Sequence, residues 1–167
     1  MSVIDEVVKA NREYSVEHDP DKVSPRPTRR LAVLTCMDTR LGRKTLGLAP
    51  GDAHIIRNAG GIVTDDAIRS LLLSHYVLGT EEIMVINHTD CGLMKASEQE
   101  LKDMMMEKTG VPSNSKIRFH AFKDVEKNVR EQLERLWAHS WIHDEMNIRG
   151  FVYDVRTGQL KEVKLER

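Results

Sequence analysis

Apolar residues recur at two spacings along this chain, and the alternation of those spacings predicts its architecture. Ile4, Val7, Val8, Asn11 and Tyr14 keep a helical period, so residues 2–17 read as a first, amphipathic helix. The following "HDPDKVSPRPTRR" carries three prolines and breaks regular structure as a loop. Residues 30–35 form a short apolar run that ends in "TCMDTR", the pattern of a strand. "LGLAPGDAHIIRNAGG" predicts a turn at Pro50-Gly51, a short strand over residues 54–57 and a loop at Gly60-Gly61.

In "TDDAIRSLLLSHYVLG" the helical period returns, through Ile68, Leu71, Leu72 and Leu78. Thr64 is its N-cap, two acids occupy the first turn and Gly79 closes it. Residues 83–86 are continuously apolar, as expected of a strand buried on both faces. "EQELKDMMMEKTG" predicts a helix ending at Gly110, and "VPSNSK" a loop. Phe122, Val125, Val129, Leu133 and Leu136 predict a long amphipathic helix from residue 119 to about residue 137. "IRGFVYDVRTGQLKEV" reads as strand, Thr157-Gly158 turn, strand. Helices alternating with apolar strands predict an α/β fold with a central, mostly parallel β-sheet flanked by helices, in one domain over residues 1–167.

Composition narrows the function classes. The 25 basic residues nearly cancel the 26 acidic ones, and no dense basic stripe interleaved with aromatics offers a nucleic-acid footprint. No apolar run reaches the roughly 18 residues that span a bilayer. The N-terminal segment carries Asp5, Glu6 and Glu13 within its apolar pattern, unlike a secretory signal. A cytoplasmic location is therefore expected, where two cysteines act as buried hydrophobes, nucleophiles or metal ligands and not as a disulfide.

The chemistry gathers at strand ends. Cys36, Asp38 and Arg40 alternate where the first strand stops, and "HTDCG" brings His88 and Cys91 just past the apolar run 83–86. In open α/β sheets, sites are built at the C-terminal ends of the strands. Two thiolates and an imidazole make a zinc donor set, and three protein ligands leave a fourth position open. Each residue alone has a plainer explanation, as a buried small hydrophobe or a hydrogen-bonded loop histidine. Asp38 lies on the same face as Cys36 in an extended segment, and Arg40 can grip it through a bidentate fork. Asp38 can then orient a metal-bound nucleophile, or leave Arg40 and take the fourth position itself. "RNAGG", residues 57–61, offers closely spaced backbone N–H groups, so Gly60 and Gly61 are candidates for contacting an anion or a small polar substrate. It has neither the Rossmann nor the Walker pattern.

Together these motifs resemble the β-class carbonic anhydrases, whose C-x-D-x-R matches Cys36, Asp38 and Arg40. Their H-x-x-C matches His88 and Cys91, their R-N-A-G matches residues 57–60, and "GFVYDVRTGQL" is similar to their terminal strand pair. The resemblance runs from about residue 30 to the C-terminus and is to the short members of the family. It implies zinc held by Cys36, His88 and Cys91, with Asp38 and Arg40 as the catalytic dyad and Asp38 as a conditional fourth ligand. The implied reaction is hydration of carbon dioxide to bicarbonate by zinc-bound hydroxide. A homodimer or higher homo-oligomer is implied too, with the first helix reaching over the partner. The glutamine and aromatic residues around the substrate in plant-like members have no evident equivalents. Carbonyl sulfide hydrolases resemble the same short members, so that substrate is an alternative. A non-catalytic zinc module is a third reading, against which the intact Asp38/Arg40 pair counts.

Overall fold

The elements run, in chain order, α1 (Val3–Val16), β1 (Leu31–Cys36), β2 (Ala53–Asn58), α2 (Asp65–Tyr76), β3 (Glu82–His88), α3 (Glu98–Thr109), α4 (Val125–Trp137), β4 (Asn147–Tyr153) and β5 (Leu160–Val163). They are seen in a computed structural model that describes residues 2–112 and 116–165. Of the loop expected at residues 111–116, positions 113–115 lie outside the described residues.

The strands pair in the order β2-β1-β3-β4-β5. All neighbours are parallel except β4 and β5, which form an antiparallel pair. This is the expected α/β fold with a mostly parallel sheet. Its central strands are apolar on both sides because both sides are covered. Ala32 and Leu34 of β1, with Ile83 and Val85 of β3, pack under Leu71 of α2 and Val129, Leu133 and Leu136 of α4. Val33 and Ile86 face the other way, against Leu41, Leu48, Phe151 and Tyr153. α4 lies so close to β4 that a Cβ on Gly150 would stand 2.5 Å from Val129 Cγ1 and 2.7 Å from Leu133 Cδ1. Gly150→Ala is therefore expected to cost about 1–3 kcal/mol of stability through overpacking. A thermal midpoint equal to that of the parent chain would contradict this packing.

Helix boundaries follow their caps. Thr64 accepts the N–H of Ala67 at 3.2 Å, and Ser97 and Glu100 form a reciprocal capping box. Gly79 at φ +77° and Gly110 at φ +69° turn the chain out of α2 and α3, as expected. The helix expected from residue 119 is corrected: α4 begins only at Val125. The apolar period continues upstream through Phe122, but Asp124 accepts the N–H of Lys127 at 2.9 Å and caps the helix there. Upstream, His120 stands at φ +58° and the N–H of Phe119 donates to the Glu98 carboxylate at 2.7 Å, which holds the backbone off the helical path.

The chain's own core leaves two apolar groups uncovered. None of α1 is buried, and Val3, Ile4, Val7, Val8 and Tyr14 all face outward, Ile4 at 75% exposure. Met104, Met105 and Met106 on α3 remain 40%, 42% and 39% exposed.

The strand order decides where chemistry can occur. From β1 the chain moves to β2 on one side, then crosses to β3 on the other. The C-terminal ends of β1 and β3 flank this topological switch point, where the connecting loops diverge and open a crevice. Cys36 is the last residue of β1 and His88 the last of β3.

Candidate metal centre

Three donors meet at that crevice. Cys36, His88 and Cys91 are all buried, and their ligand atoms lie within 4.8 Å of one another. His88 is 0% exposed, and its Nδ1 stands 2.8 Å from the carbonyl oxygen of Thr89. A carbonyl only accepts, so Nδ1 carries the proton and Nε2 presents a lone pair. That Nε2 is buried with no hydrogen-bond partner among the described residues. An orphaned buried acceptor is costly, and a metal ion is the partner that would satisfy it. Their proximity would allow Cys36, His88 and Cys91 to hold one ion together. Two sulfurs and one imidazole nitrogen suit zinc, a borderline-soft ion.

The two thiols are tuned apart. Cys91 donates to Cys36, which lowers the Cys36 pKa against the opposing effect of burial. The backbone N–H groups of Asp38 and Gly60 push it further down. The same interaction shifts Cys91 up, with burial adding to the effect. The Gly60 N–H reaches Cys36 Sγ at 3.3 Å and the Asp38 N–H at 3.5 Å. These donors favour a thiolate, the form that ligates metal.

Beside the donors stands the charge pair. Asp38 Oδ1 accepts from Arg40 Nε at 3.0 Å, and Oδ2 from Arg40 Nη2 at 2.8 Å, the bidentate fork read from the alternation. Asp38 Oδ2 also lies 3.9 Å from His88 Nε2, so one oxygen faces the donor cluster. Chiefly through the Arg40 hydrogen bonds, the Asp38 carboxyl is held well below the usual carboxylate range. Arg40 is itself tied down from behind. Its Nη1 donates to Asp90 Oδ2 at 2.9 Å, and its Nη2 to the Asp90 carbonyl at 3.1 Å. Lys95, at 2.9 Å, and then Arg40 pull the Asp90 carboxyl down to about 2. Arg57 completes the frame, donating to the carbonyls of Cys36 at 3.1 Å and Asp38 at 2.6 Å.

Gly60 and Gly61 adjoin the cluster, at φ +83° and +64°. A Cβ on Gly61 would stand 3.0 Å from both Cys36 N and Ile86 O, so only glycine lets the loop lie against these strand ends. The Gly60 N–H is directed at the Cys36 sulfur.

Known proteins match the chain over most of its length. The sequence model of a family described as carbonic anhydrase matches residues 31–160. "Beta-carbonic anhydrase 1" of Mycobacterium tuberculosis is 38% identical over 165 residues, covering 98% of this chain and 99% of its own. The chain belongs to the β-carbonic anhydrase family. A solved carbonic anhydrase from Streptococcus mutans superposes with a TM-score of 0.89 at 43% identity, covering 98% of this chain and 99% of that one. A second branch is as similar in sequence. "Carbon disulfide hydrolase" of Saccharolobus solfataricus is 37% identical over 184 residues, covering 95% of this chain and 88% of its own. The β-carbonic anhydrases are zinc enzymes, and zinc is the metal that the Cys36, His88 and Cys91 donors fit.

Two parts of the site escaped sequence reasoning. Asp90 sits inside "HTDCG", yet nothing in the string says that it reaches Arg40. Asn87, Asn128 and Gln132 are buried polar residues behind the Gly60-Gly61 loop. The signal available for the last two was their spacing of four, beside the apolar face of α4.

Proposed function

We propose that this protein hydrates carbon dioxide to bicarbonate with a zinc ion held by Cys36, His88 and Cys91. The observation that carries the proposal is the Asp38 carboxylate, gripped by Arg40 and 3.9 Å from the free Nε2 of His88. Bound zinc supplies a Lewis acid and draws a nucleophile from water near neutral pH. The chain's own residues do the rest. Thr89 fixes the His88 tautomer so that Nε2 faces the metal position. Arg40 keeps Asp38 ionised, and Asp38 then accepts a hydrogen bond at the open fourth position and orients the attacking oxygen. If Asp38 turns away from Arg40, the same carboxylate can instead occupy that position as a conditional ligand. Gly60 and Gly61 form part of the substrate wall, because glycine lets their loop lie against the ends of β1 and β3 beside Cys36.

A second reading has a specific observation behind it: a relative 37% identical over 95% of the chain bears the name carbon disulfide hydrolase. Carbon dioxide, carbonyl sulfide and carbon disulfide are all linear molecules with an electrophilic central carbon, and one nucleophile can attack each. The alternative is thus a carbonyl sulfide hydrolase releasing hydrogen sulfide and carbon dioxide. A side-by-side assay of carbon dioxide hydration and hydrogen sulfide release separates the two. Carbon dioxide is expected to give the higher kcat/KM, and a higher value for carbonyl sulfide would reverse the assignment.

The protein works as one β-carbonic-anhydrase-like domain over residues 1–167, as a homodimer or higher homo-oligomer, in the cytoplasm. The outward apolar side of α1 supports oligomerisation. Two free cysteines poised as ligands fit a reducing compartment. No helix among the described residues is long and apolar enough to cross a membrane.

A further inference from the structure

Behind the loop of residues 60–63 runs a chain of three buried amides. Gln132 Oε1 accepts the N–H of Val63 at 2.8 Å, and Gln132 Nε2 donates to Asn128 Oδ1 at 3.0 Å. Asn128 Nδ2 donates to Asn87 Oδ1 at 2.7 Å. Asn87 Nδ2 donates to the carbonyls of Gly60 at 2.8 Å and Gly61 at 3.1 Å. Asn87, Asn128 and Gln132 are 0%, 4% and 7% exposed. The chain starts and ends on the same loop, so the loop is clamped at two points, by Gln132 of α4 and by Asn87 of β3 with Asn128 of α4 behind it. Asn58 adds a third, pairing with both the N–H and the carbonyl of Ile62 at 2.8 Å and 2.7 Å.

An apolar α4 face would cover the sheet as well without the burden of three desolvated amides. What the amides add is the exact height and direction of the loop. The loop's output is the Gly60 N–H on Cys36 Sγ, at 3.3 Å. We propose that Asn87, Asn128 and Gln132 are positioning residues that hold the Gly60 N–H on the Cys36 sulfur and so set how strongly that sulfur donates to the metal. The inference rests on the metal reading above. A hydrogen bond withdraws electron density from a thiolate and leaves the metal the stronger Lewis acid.

The chain has one polarity, and this makes it testable with a nearly isosteric change. In Asn128→Asp the donor to Asn87 becomes an acceptor. With the new carboxyl ionised, either two oxygens face each other, or the Asn87 amide flips and turns its own oxygen towards the Gly60 and Gly61 carbonyls, and both release the loop. Were that buried carboxyl protonated, its O–H would restore the donor, so Gln132→Leu, which removes a link without replacing it, is measured alongside. The experiment compares cobalt(II)-substituted parent protein with Asn128→Asp and with Val129→Ala, a fully buried neighbour on α4 outside the amide chain. In Asn128→Asp, the sulfur-to-cobalt charge-transfer band should move to longer wavelength and amide exchange at Gly60 should rise. With zinc, its kcat should fall about 10-fold while KM changes little. Val129→Ala should lower the thermal midpoint and leave the band where it was. Gln132→Leu should show the same band shift. An unmoved band in folded Gln132→Leu, or an equal shift in Val129→Ala, would overturn the proposal. Failure of the parent protein to take up cobalt would overturn the metal reading itself, before any variant is compared.

Discussion

Cys36→Ser and Cys91→Ser are each expected to lose zinc and, with it, measurable turnover. A serine hydroxyl is almost as large as the thiol but stays protonated, so it cannot replace a thiolate donor. The two donors left behind cannot make the three-point attachment of an open zinc site. The loss should exceed the roughly 10–100-fold that changes in residues around metal ligands usually cause. Both cysteines are buried at the strand-end crevice, where the substitution removes little volume. Elemental analysis of the purified variants, with circular dichroism to verify the fold, is the measurement. About one zinc per chain in a folded Cys91→Ser variant would remove Cys91 from the site.

Asp38→Asn should do the opposite to metal content. Zinc is retained, because Asp38 is not one of the three donors that the structure brings together. Turnover should nevertheless fall about 10²–10⁴-fold, the range set by a positioned acceptor at a reacting group. The neutral amide also presents an N–H where Arg40 donates, so the fork at 2.8–3.0 Å is lost. Asp38's pKa lies well below the usual carboxylate range, chiefly through Arg40. A depressed folded pKa keeps the group charged at every pH above about 4. Acidifying the parent protein from about pH 8 to about pH 6 should therefore not reproduce the variant. Rates within about twofold of the parent in zinc-replete Asp38→Asn would remove the orienting role from Asp38.

Asp90 illustrates what lies beyond local reading. The alternation of Cys36, Asp38 and Arg40 along an extended segment was enough to anticipate the bidentate fork, because those three positions share a face. That Arg40 is also anchored from behind depends on β1 and β3 being neighbours, which brings position 90 within 2.9 Å of position 40. The start of α4 shows the converse. Its apolar period is a property of the string, and the period runs on past the true N-terminus. The Asp124 cap and the pull of Glu98 on Phe119 end the helix where they do, and Glu98 comes from α3.

The sequence by itself determined the alternation of strands and helices, the caps that close α2 and α3, and the residue types that can ligate zinc. Those features depend on neighbours a few positions apart, within reach of periodicity, capping and alternation. Tertiary structure alone decided that β1 and β3 are adjacent, which turns two separate motifs into one cluster of donors. It also left His88 Nε2 without a hydrogen-bond partner among the described residues, tied Arg40 to Asp90, and ran a chain of buried amides from α4 to Gly60. The reason is physical: the groups that clamp the loop from α4 and β3 are ones that folding brings in from 26 to 69 positions away along the chain.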